Sequence, residues 1–160
     1  MLSEFDNIIR IVHDYFIENS MSLSVAESCT GGLVMHLITN IPGASKYFTG
    51  GVVAYSERIK VSILKVPEEV VRRYGVVSEE TAIAMASGVR KTMGTHIGIS
   101  TTGNLGPETL EGKEVGLVCF GYSSEKRVVA KRAIFKGSRG EVKEKAALYC
   151  LENLIDFLKK

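Results

Sequence analysis

The chain has 160 residues, of which 45% are hydrophobic and 24% are charged, with a formal net charge of +2. This size predicts one domain over residues 1–160 with a substantial apolar core, and the composition excludes a disordered or collagen-like chain. So small a net charge does not demand a polyanionic partner, and nucleic acid is therefore not expected to bind.

The predicted elements alternate between helices and strands along the chain. The first helix carries apolar residues at helical spacing on one face and has Ser3 as a candidate N-cap. The first half of the chain is predicted to contain a helix at 3–20, a strand at 21–26, a helix from Leu33 to Ile41, a strand at 47–56 and a helix at 57–65. A short helix with Pro67 as its first residue and a helix from the cap Ser78 to about Met93 come next. The last part is predicted to contain strands at 96–102, 114–122 and 127–135 and a helix at 140–158. Helices alternating with strands, with one late hairpin at 123–126, predict an α/β domain with a mixed sheet.

Glycine and cysteine usage narrows the class further. There are 16 Gly against 3 Pro, and none of the glycines precedes Gly31 or follows Gly140. This distribution predicts helical ends around a middle in which the backbone turns tightly or approaches a ligand. The 3 Cys include no C-x-x-C pair, so a disulfide framework or zinc site is not predicted, and a cytoplasmic location is expected.

Two further observations concern the membrane and metals. The first residues include Glu4 and Asp6 and no uncharged apolar run, and the chain contains no apolar run of about 18 residues. We therefore expect no signal peptide, transmembrane helix or membrane partner. His13, His36 and His96 have no ligand spacing, so no metal site is expected from them.

The segment Glu27–Gly32 (ESCTGG) is the strongest local motif. It lies where a predicted strand leads into a helix, which is where α/β sheets collect ligands. Its glycines and the helix N-terminus favour an anion or an oxyanion. Ser28 is a candidate nucleophile that needs a base, and Cys29 is another, with a pKa that the helix end is expected to lower. The alternative is a capping turn with Ser28 or Thr30 as the N-cap.

Three other segments contain residues suited to a site. Tyr55 and Lys60 follow a strand, and a partly buried lysine can act as a general base; the alternative is a solvated helix lysine. The segment 102–107 (TGNLGP) is suited to an anion-binding nest or to a simple turn. Arg139, together with Lys136, can hold a phosphate or form an ordinary charge cluster at a helix start.

Together these segments resemble the CinA C-terminal domain family, which includes nicotinamide-mononucleotide deamidases. The resemblance runs from about residue 20 to residue 155. It is carried by AESCTGG at 26–32, PGAS at 42–45 with Phe48, GGVVAYS at 50–56 with Lys60, GVVS at 75–78, Thr102-Gly103 with Gly106-Pro107, Val115-Gly116, and Phe135, Gly137 and Arg139.

The resemblance implies a three-layer α/β/α sandwich around a mixed sheet. It also implies hydrolysis of nicotinamide mononucleotide to nicotinate mononucleotide and ammonia, in pyridine nucleotide salvage, without a cofactor. Ser28 is then the nucleophile, activated by Lys60 and Tyr55. The positions implied to bind the nucleotide are Glu27, Cys29, Thr30, Gly31, Gly32, Ser45, Thr102, Gly103, Asn104 and Arg139.

Several positions depart from the family pattern on the ligand side. They are Glu57, Leu105, the stretch 108–112, Ser138 and Lys143. The departures keep a second hypothesis open, in which the domain binds a phosphorylated nucleotide without turnover or with altered specificity. The sequence also leaves a homo-oligomer open.

Overall fold

The structure, a computed structural model, describes residues 3–160; Met1 and Leu2, which the predicted domain includes, lie outside the described residues. The elements in chain order are α1 (Glu4–Glu18), β1 (Leu23–Glu27), α2 (Leu33–Thr39), a 3-10 turn (Ala44–Lys46), β2 (Phe48–Val53), α3 (Glu57–Ser62), α4 (Glu68–Tyr74), α5 (Glu79–Met93), β3 (Ile97–Gly103), β4 (Leu117–Ser123), β5 (Val128–Ile134) and α6 (Arg139–Lys159). No helix within this range combines the length and apolar character needed to cross a bilayer.

The five strands form one mixed sheet in the order β2-β1-β3-β4-β5. Strand β1 runs parallel to β2 and β3, while β4 is antiparallel to both β3 and β5. The β4–β5 pair is the predicted hairpin, and the mixed sheet is confirmed.

Helices cover both faces of the sheet, which confirms the three-layer α/β/α arrangement. On one face α1, α2 and α6 pack against one another and on the strands, with Phe16, Leu151 and Leu154 fully buried. On the other face α5 lies across β3 and β4, and α4 packs beside it around Met85 and Val71. Strand β1 is buried along its whole length because it lies between two strands and two helical layers.

Helix α5 lies unusually close to the sheet at two glycines. A Cβ atom on Gly121 would lie 2.1 Å from the carbonyl oxygen of Ala82, and one on Gly98 would lie 2.2 Å from that of Ala86. These distances are shorter than any tolerable contact, so both positions require glycine. Gly98 and Gly121 are therefore needed for the packing of α5 on the sheet and not for ligand binding.

The predicted caps and boundaries are mostly confirmed. Ser3 caps α1 and Ser78 caps α5, each accepting a hydrogen bond from a backbone N–H. Pro67 was predicted as the first residue of α4, but it is the N-cap in extended conformation, and the helix begins one residue later at Glu68. The predicted strand at 114–122 starts only at Leu117, because Gly116 has φ +92° and its N–H donates to the carbonyl of Asn104 across the preceding loop.

The sheet topology determines where the site lies. At the end of β1, Glu27 is paired with Val53 of β2 on one side and Thr101 of β3 on the other. Because these three strands are parallel, their carboxyl ends meet at one edge of the sheet. The segments that follow them therefore converge there, as expected for ligand sites in α/β sheets.

Candidate active site

Ser28 is the first residue after β1 and lies at the centre of this edge. Its N–H donates to the carbonyl of Thr101 over 2.9 Å, which continues the β1–β3 ladder by one residue. The chain then reverses through Gly31 (φ +59°) and Gly32 (φ +103°) before α2 begins. Glycine adopts left-handed backbone conformations with little strain, whereas other residues rarely do. The glycine pair therefore permits the tight turn that begins at Ser28 and leads into α2.

Lys60 reaches Ser28 from α3, the helix that follows β2. Ser56 caps α3 by accepting a hydrogen bond from the N–H of Ile59, so the helix starts at once and Lys60 lies on its inner side. The Nζ atom of Lys60 lies 2.9 Å from the Oγ atom of Ser28. Lys60 is 2% exposed and Ser28 is 7% exposed, so the contact is sheltered from water.

The surroundings of Lys60 make its amine easier to deprotonate than that of an exposed lysine. Burial lowers the pKa of its amine, although Cys29, Glu57 and Glu111 oppose this in part. Among residues 3–160 no carboxylate lies within ion-pair distance of its Nζ. The Nζ atom lies 2.9 Å from the carbonyl oxygen of Ala54 and 3.4 Å from that of Tyr55. A neutral amine can donate to both carbonyls and keep its lone pair for the Ser28 hydroxyl.

The position of the Tyr55 hydroxyl does not match the hypothesis that it activates Ser28. Its side chain is 59% exposed, and its hydroxyl accepts a hydrogen bond of 2.9 Å from the guanidinium of Arg139. Arg139 also donates to the carbonyl of Gly106 over 2.7 Å. The structure therefore gives Tyr55 two contacts at the site, its carbonyl with Lys60 and its hydroxyl with Arg139.

Glu27 was expected to bind substrate, but its carboxylate is enclosed by its own chain. It accepts hydrogen bonds from the Thr30 hydroxyl (2.6 Å) and from the N–H groups of Val34 (2.8 Å) and Met35 (3.0 Å). Glu27 therefore occupies two first-turn N–H donors of α2, and these two are not available to a bound anion. The alternative of Ser28 or Thr30 as the N-cap is also wrong, since the N-cap is Gly32.

The expected activation of Cys29 by the helix end is wrong. The side chain is buried, and desolvation raises the pKa of its thiol to about 12, with the nearby Glu27 carboxylate adding to the rise and a Thr101 hydrogen bond opposing it. A thiol with such a pKa is a poor nucleophile at neutral pH. Ser28 is left as the nucleophile candidate of the motif.

The segment 102–107 has its polar groups engaged within the chain. The Thr102 hydroxyl donates to the carbonyl of Val76 over 2.6 Å. The N–H of Asn104 donates to Leu117, and the N–H of Gly106 donates to the Asn104 side chain over 3.1 Å. Of the two alternatives for this segment, these hydrogen bonds favour the simple turn over the anion nest. The carbonyl of Gly106 in this turn accepts a hydrogen bond from Arg139.

Ser45 lies apart from the residues above. It belongs to the 3-10 turn that precedes β2, and β2 starts beside the amino end of β1. Ser28 follows the carboxyl end of the same strand, roughly 16 Å away for five residues of extended chain. The structure does not bring Ser45 and Ser28 together in this chain.

Lys143 is a site residue for which the sequence argument proposed no role. A Cβ atom on Gly31 would lie 3.3 Å from its Nζ atom, so the ammonium sits against the Ser28 turn. A cavity of about 400 Å³ lies here, lined by Thr30, Gly31, Gly32, Leu33, His36, Gly140, Lys143 and Glu144. The available signal was helical spacing, since Arg139 and Lys143 are four residues apart and share one face of α6.

A second cleft of about 1150 Å³ lies between α3, α4 and the segment 111–113. Neither Ser28 nor Lys60 lines it. Within residues 3–160 there is no group of three or more His, Cys, Asp or Glu that could hold a metal ion. The chemistry available at the Ser28 edge is thus a hydroxyl beside a desolvated amine.

Comparison with known proteins gives a consistent result along the chain. A family model described as the CinA C-terminal domain matches residues 6–158. A CinA-like protein of Dictyoglomus thermophilum is 43% identical over 153 residues, which cover 94% of this chain and 36% of that protein. A CinA-like protein of Kosmotoga olearia is 42% identical over 149 residues, covering 92% and 36%. The chain thus spans about a third of the length of these curated relatives.

Solved structures agree over the whole fold. The competence damage-inducible protein A (ComA) of Klebsiella pneumoniae superposes with a TM-score of 0.93 at 30% identity, covering 96% of each chain. The competence/damage inducible protein CihA of Agrobacterium tumefaciens gives a TM-score of 0.93 at 29% identity, covering 100% of this chain and 98% of that one.

Proposed function

The chain belongs to the CinA C-terminal domain family, and from that premise we propose that it is a serine amidohydrolase that converts nicotinamide mononucleotide to nicotinate mononucleotide and ammonia. The observation that carries the proposal is the 2.9 Å contact between Lys60 Nζ and Ser28 Oγ, buried from solvent. A hydroxyl needs a base to become a nucleophile, and a desolvated lysine is such a base.

In the first step Ser28 Oγ attacks the carboxamide carbon, and its proton passes to Lys60 Nζ. The carbonyl π electrons move to oxygen, which gives a tetrahedral oxyanion. Among the described residues the N–H groups of Thr30 and Gly32 donate to no acceptor, so they are the donors that the turn leaves available for this oxyanion.

In the second step the oxyanion collapses and the C–N bond breaks. Lys60 returns its proton to the leaving nitrogen, which departs as ammonia and leaves an ester on Ser28. A water molecule then attacks this ester with Lys60 again accepting a proton. Cleavage of the C–O bond returns the proton to Ser28 Oγ and releases the carboxylic acid, which gives its own proton to solvent or to the ammonia and becomes the carboxylate product.

The nucleotide phosphate has two cationic groups close to the Ser28 turn. Arg139 is exposed and held by the Gly106 carbonyl and the Tyr55 hydroxyl. Lys143 lies against Gly31 and has no ion-pair partner among residues 3–160. We assign phosphate binding to this pair, since a guanidinium and an ammonium suit a dianionic group.

The direct test is ammonia release from purified protein incubated with nicotinamide mononucleotide. Turnover that disappears in Ser28→Ala and in Lys60→Met supports the proposal. If the wild type releases no ammonia but is thermally stabilised by the nucleotide, the domain binds without turnover and the amidohydrolase proposal is overturned.

A further inference from the structure

The Glu27 side chain is a buried carboxylate that faces no cavity. It is 0% exposed, and its two oxygens accept three hydrogen bonds, from the hydroxyl of Thr30 and the N–H groups of Val34 and Met35. Burying a carboxylate is costly unless hydrogen bonds compensate for the lost water. These three donors supply that compensation, so the Glu27 carboxylate interacts with groups of its own chain.

Helix α2 depends on this carboxylate for its start. The helix has only 7 residues, and its N-cap Gly32 has no side chain to accept a hydrogen bond. The N–H groups of a first helical turn have no partner within the helix. Glu27, at the end of the preceding strand, fills the role that a serine or aspartate cap has in other helices.

The same contacts fix the Ser28 turn from both sides. The Thr30 hydroxyl donates to Glu27 and lies 2.7 Å from the Thr101 hydroxyl of β3. The Glu27 carbonyl accepts from the N–H of Ala54 over 2.8 Å, and Ala54 in turn offers its own carbonyl to Lys60. Glu27 thus connects the turn that carries the hydroxyl to the segment that holds the amine.

The geometry assigns Glu27 as a positioning residue for the nucleophile: it sets the position of Ser28 Oγ relative to Lys60 Nζ and touches no substrate. This inference rests on the proposed function. Reacting groups must be held within a fraction of an ångström, and an error of about 1 Å can cost roughly 10²-fold in rate. Loss of the Glu27 charge should therefore act on turnover and not on substrate affinity.

The first experiment compares steady-state kinetics of the wild type, Glu27→Gln and the exposed control Glu125→Gln with nicotinamide mononucleotide. For Glu27→Gln we expect kcat to fall about 10²-fold, with KM within about threefold and an unchanged pH midpoint, since Lys60 remains the base. Glu125→Gln should match the wild type. An unchanged kcat in Glu27→Gln, or a fall explained by KM alone, would overturn the inference.

A second pair of variants covers the case in which Glu27→Gln does not fold. Thr30→Ser keeps the hydroxyl that donates to Glu27, whereas Thr30→Val removes it at similar volume. We expect Thr30→Val to lower kcat in the same direction as Glu27→Gln, and Thr30→Ser, which restores the donor to Glu27, to recover part of that loss. Equal kcat in the two Thr30 variants would contradict the positioning role.

A third measurement does not need the amide substrate. The rate at which phenylmethanesulfonyl fluoride modifies Ser28, followed by intact mass, reports nucleophile activation alone. Slower modification in Glu27→Gln than in the wild type supports the positioning role even if no ammonia is released, in which case only the proposed function fails. Equal rates, or no modification of wild-type Ser28, overturn the positioning role.

Discussion

The Nζ atom of Lys60 lies 2.9 Å from the Oγ atom of Ser28, although the two residues are 32 positions apart in the chain. The contact is formed because β1 and β2 are parallel neighbours that end at the same edge of the sheet. It places an amine with a lowered pKa against a hydroxyl.

Removing either partner of this contact should abolish turnover without unfolding the protein. Lys60→Met keeps a long apolar side chain but removes the base, so we expect kcat for ammonia release to fall about 10²–10⁴-fold. Ser28→Ala should lower it at least as much. Lys91→Met is the matched control, since Lys91 is exposed on α5, and it should retain wild-type kcat. Wild-type rates in Lys60→Met would exclude Lys60 as the base.

The pH dependence of the reaction follows from the lowered pKa of Lys60. Only the neutral amine can accept the Ser28 proton, so kcat/KM should fall as the pH drops and Lys60 is protonated. Because burial lowers this pKa, the midpoint of the profile should lie below the ordinary lysine value of about 10.4. A profile that continues to rise through that value would contradict this environment.

The same shift makes a separate prediction for stability. Between the folded-state and unfolded-state pKa values of Lys60 the unfolded chain binds more protons, so this residue makes the free energy of unfolding rise with pH. In Lys60→Met this contribution is absent. The free energy of unfolding of the wild type should therefore increase relative to that of Lys60→Met as the pH rises toward about 10.4. Urea unfolding at a series of pH values measures the difference, and a gap independent of pH would refute it.

The backbone carbonyl of Tyr55 contacts Lys60, whereas its side-chain hydroxyl contacts Arg139, so the two contacts can be tested separately. Tyr55→Phe keeps the carbonyl near Lys60 but loses the hydrogen bond from Arg139. A hydrogen bond of about 0.5–1.5 kcal/mol corresponds to a rise in KM of roughly 2–10-fold, with kcat retained. Arg139→Ala should raise KM further. A large loss of kcat with unchanged KM in Tyr55→Phe would instead restore the hydroxyl as an activating group.

Cys29 is expected to be chemically inert despite its place beside Ser28. Its thiol is buried, with a pKa raised to about 12, so almost none is thiolate at neutral pH. Iodoacetamide should leave Cys29 unmodified at pH 7 in the native protein and modify it after unfolding, as followed by intact mass. Cys29→Ala should keep ammonia release, and rapid labelling of the native protein would contradict the burial of this thiol.

The close approach of α5 to the sheet predicts a matched pair of glycine variants. Gly121→Ala would place a Cβ atom 2.1 Å from the Ala82 carbonyl, so the helix must shift, and a loss of about 1–3 kcal/mol or more in the free energy of unfolding is expected. Gly140→Ala meets nothing within 4 Å in α6, and alanine favours helix by about 0.5–1 kcal/mol. Denaturant unfolding should show opposite signs, and equal stabilities would contradict the packing.

The order of the elements and the mixed α/β class follow from local patterns in the sequence. Helical periodicity, the Ser3 and Ser78 caps and the late hairpin are local signals, and each is confirmed. The motif residues also identified the turn after β1 as the place to look. What local patterns specify is which segment forms which element, because the energies involved act over a few residues.

The contacts of each polar side chain in those motifs depend on the three-dimensional packing of the chain. Glu27 and Cys29 share the motif with Ser28, yet the first caps α2 and the second is sealed in the core. Lys143 entered the site because α6 lies against the Ser28 turn, which no spacing within the motif reveals. Burial and partners across tens of residues set these roles, since desolvation and hydrogen bonding depend on neighbours that only the folded chain brings together.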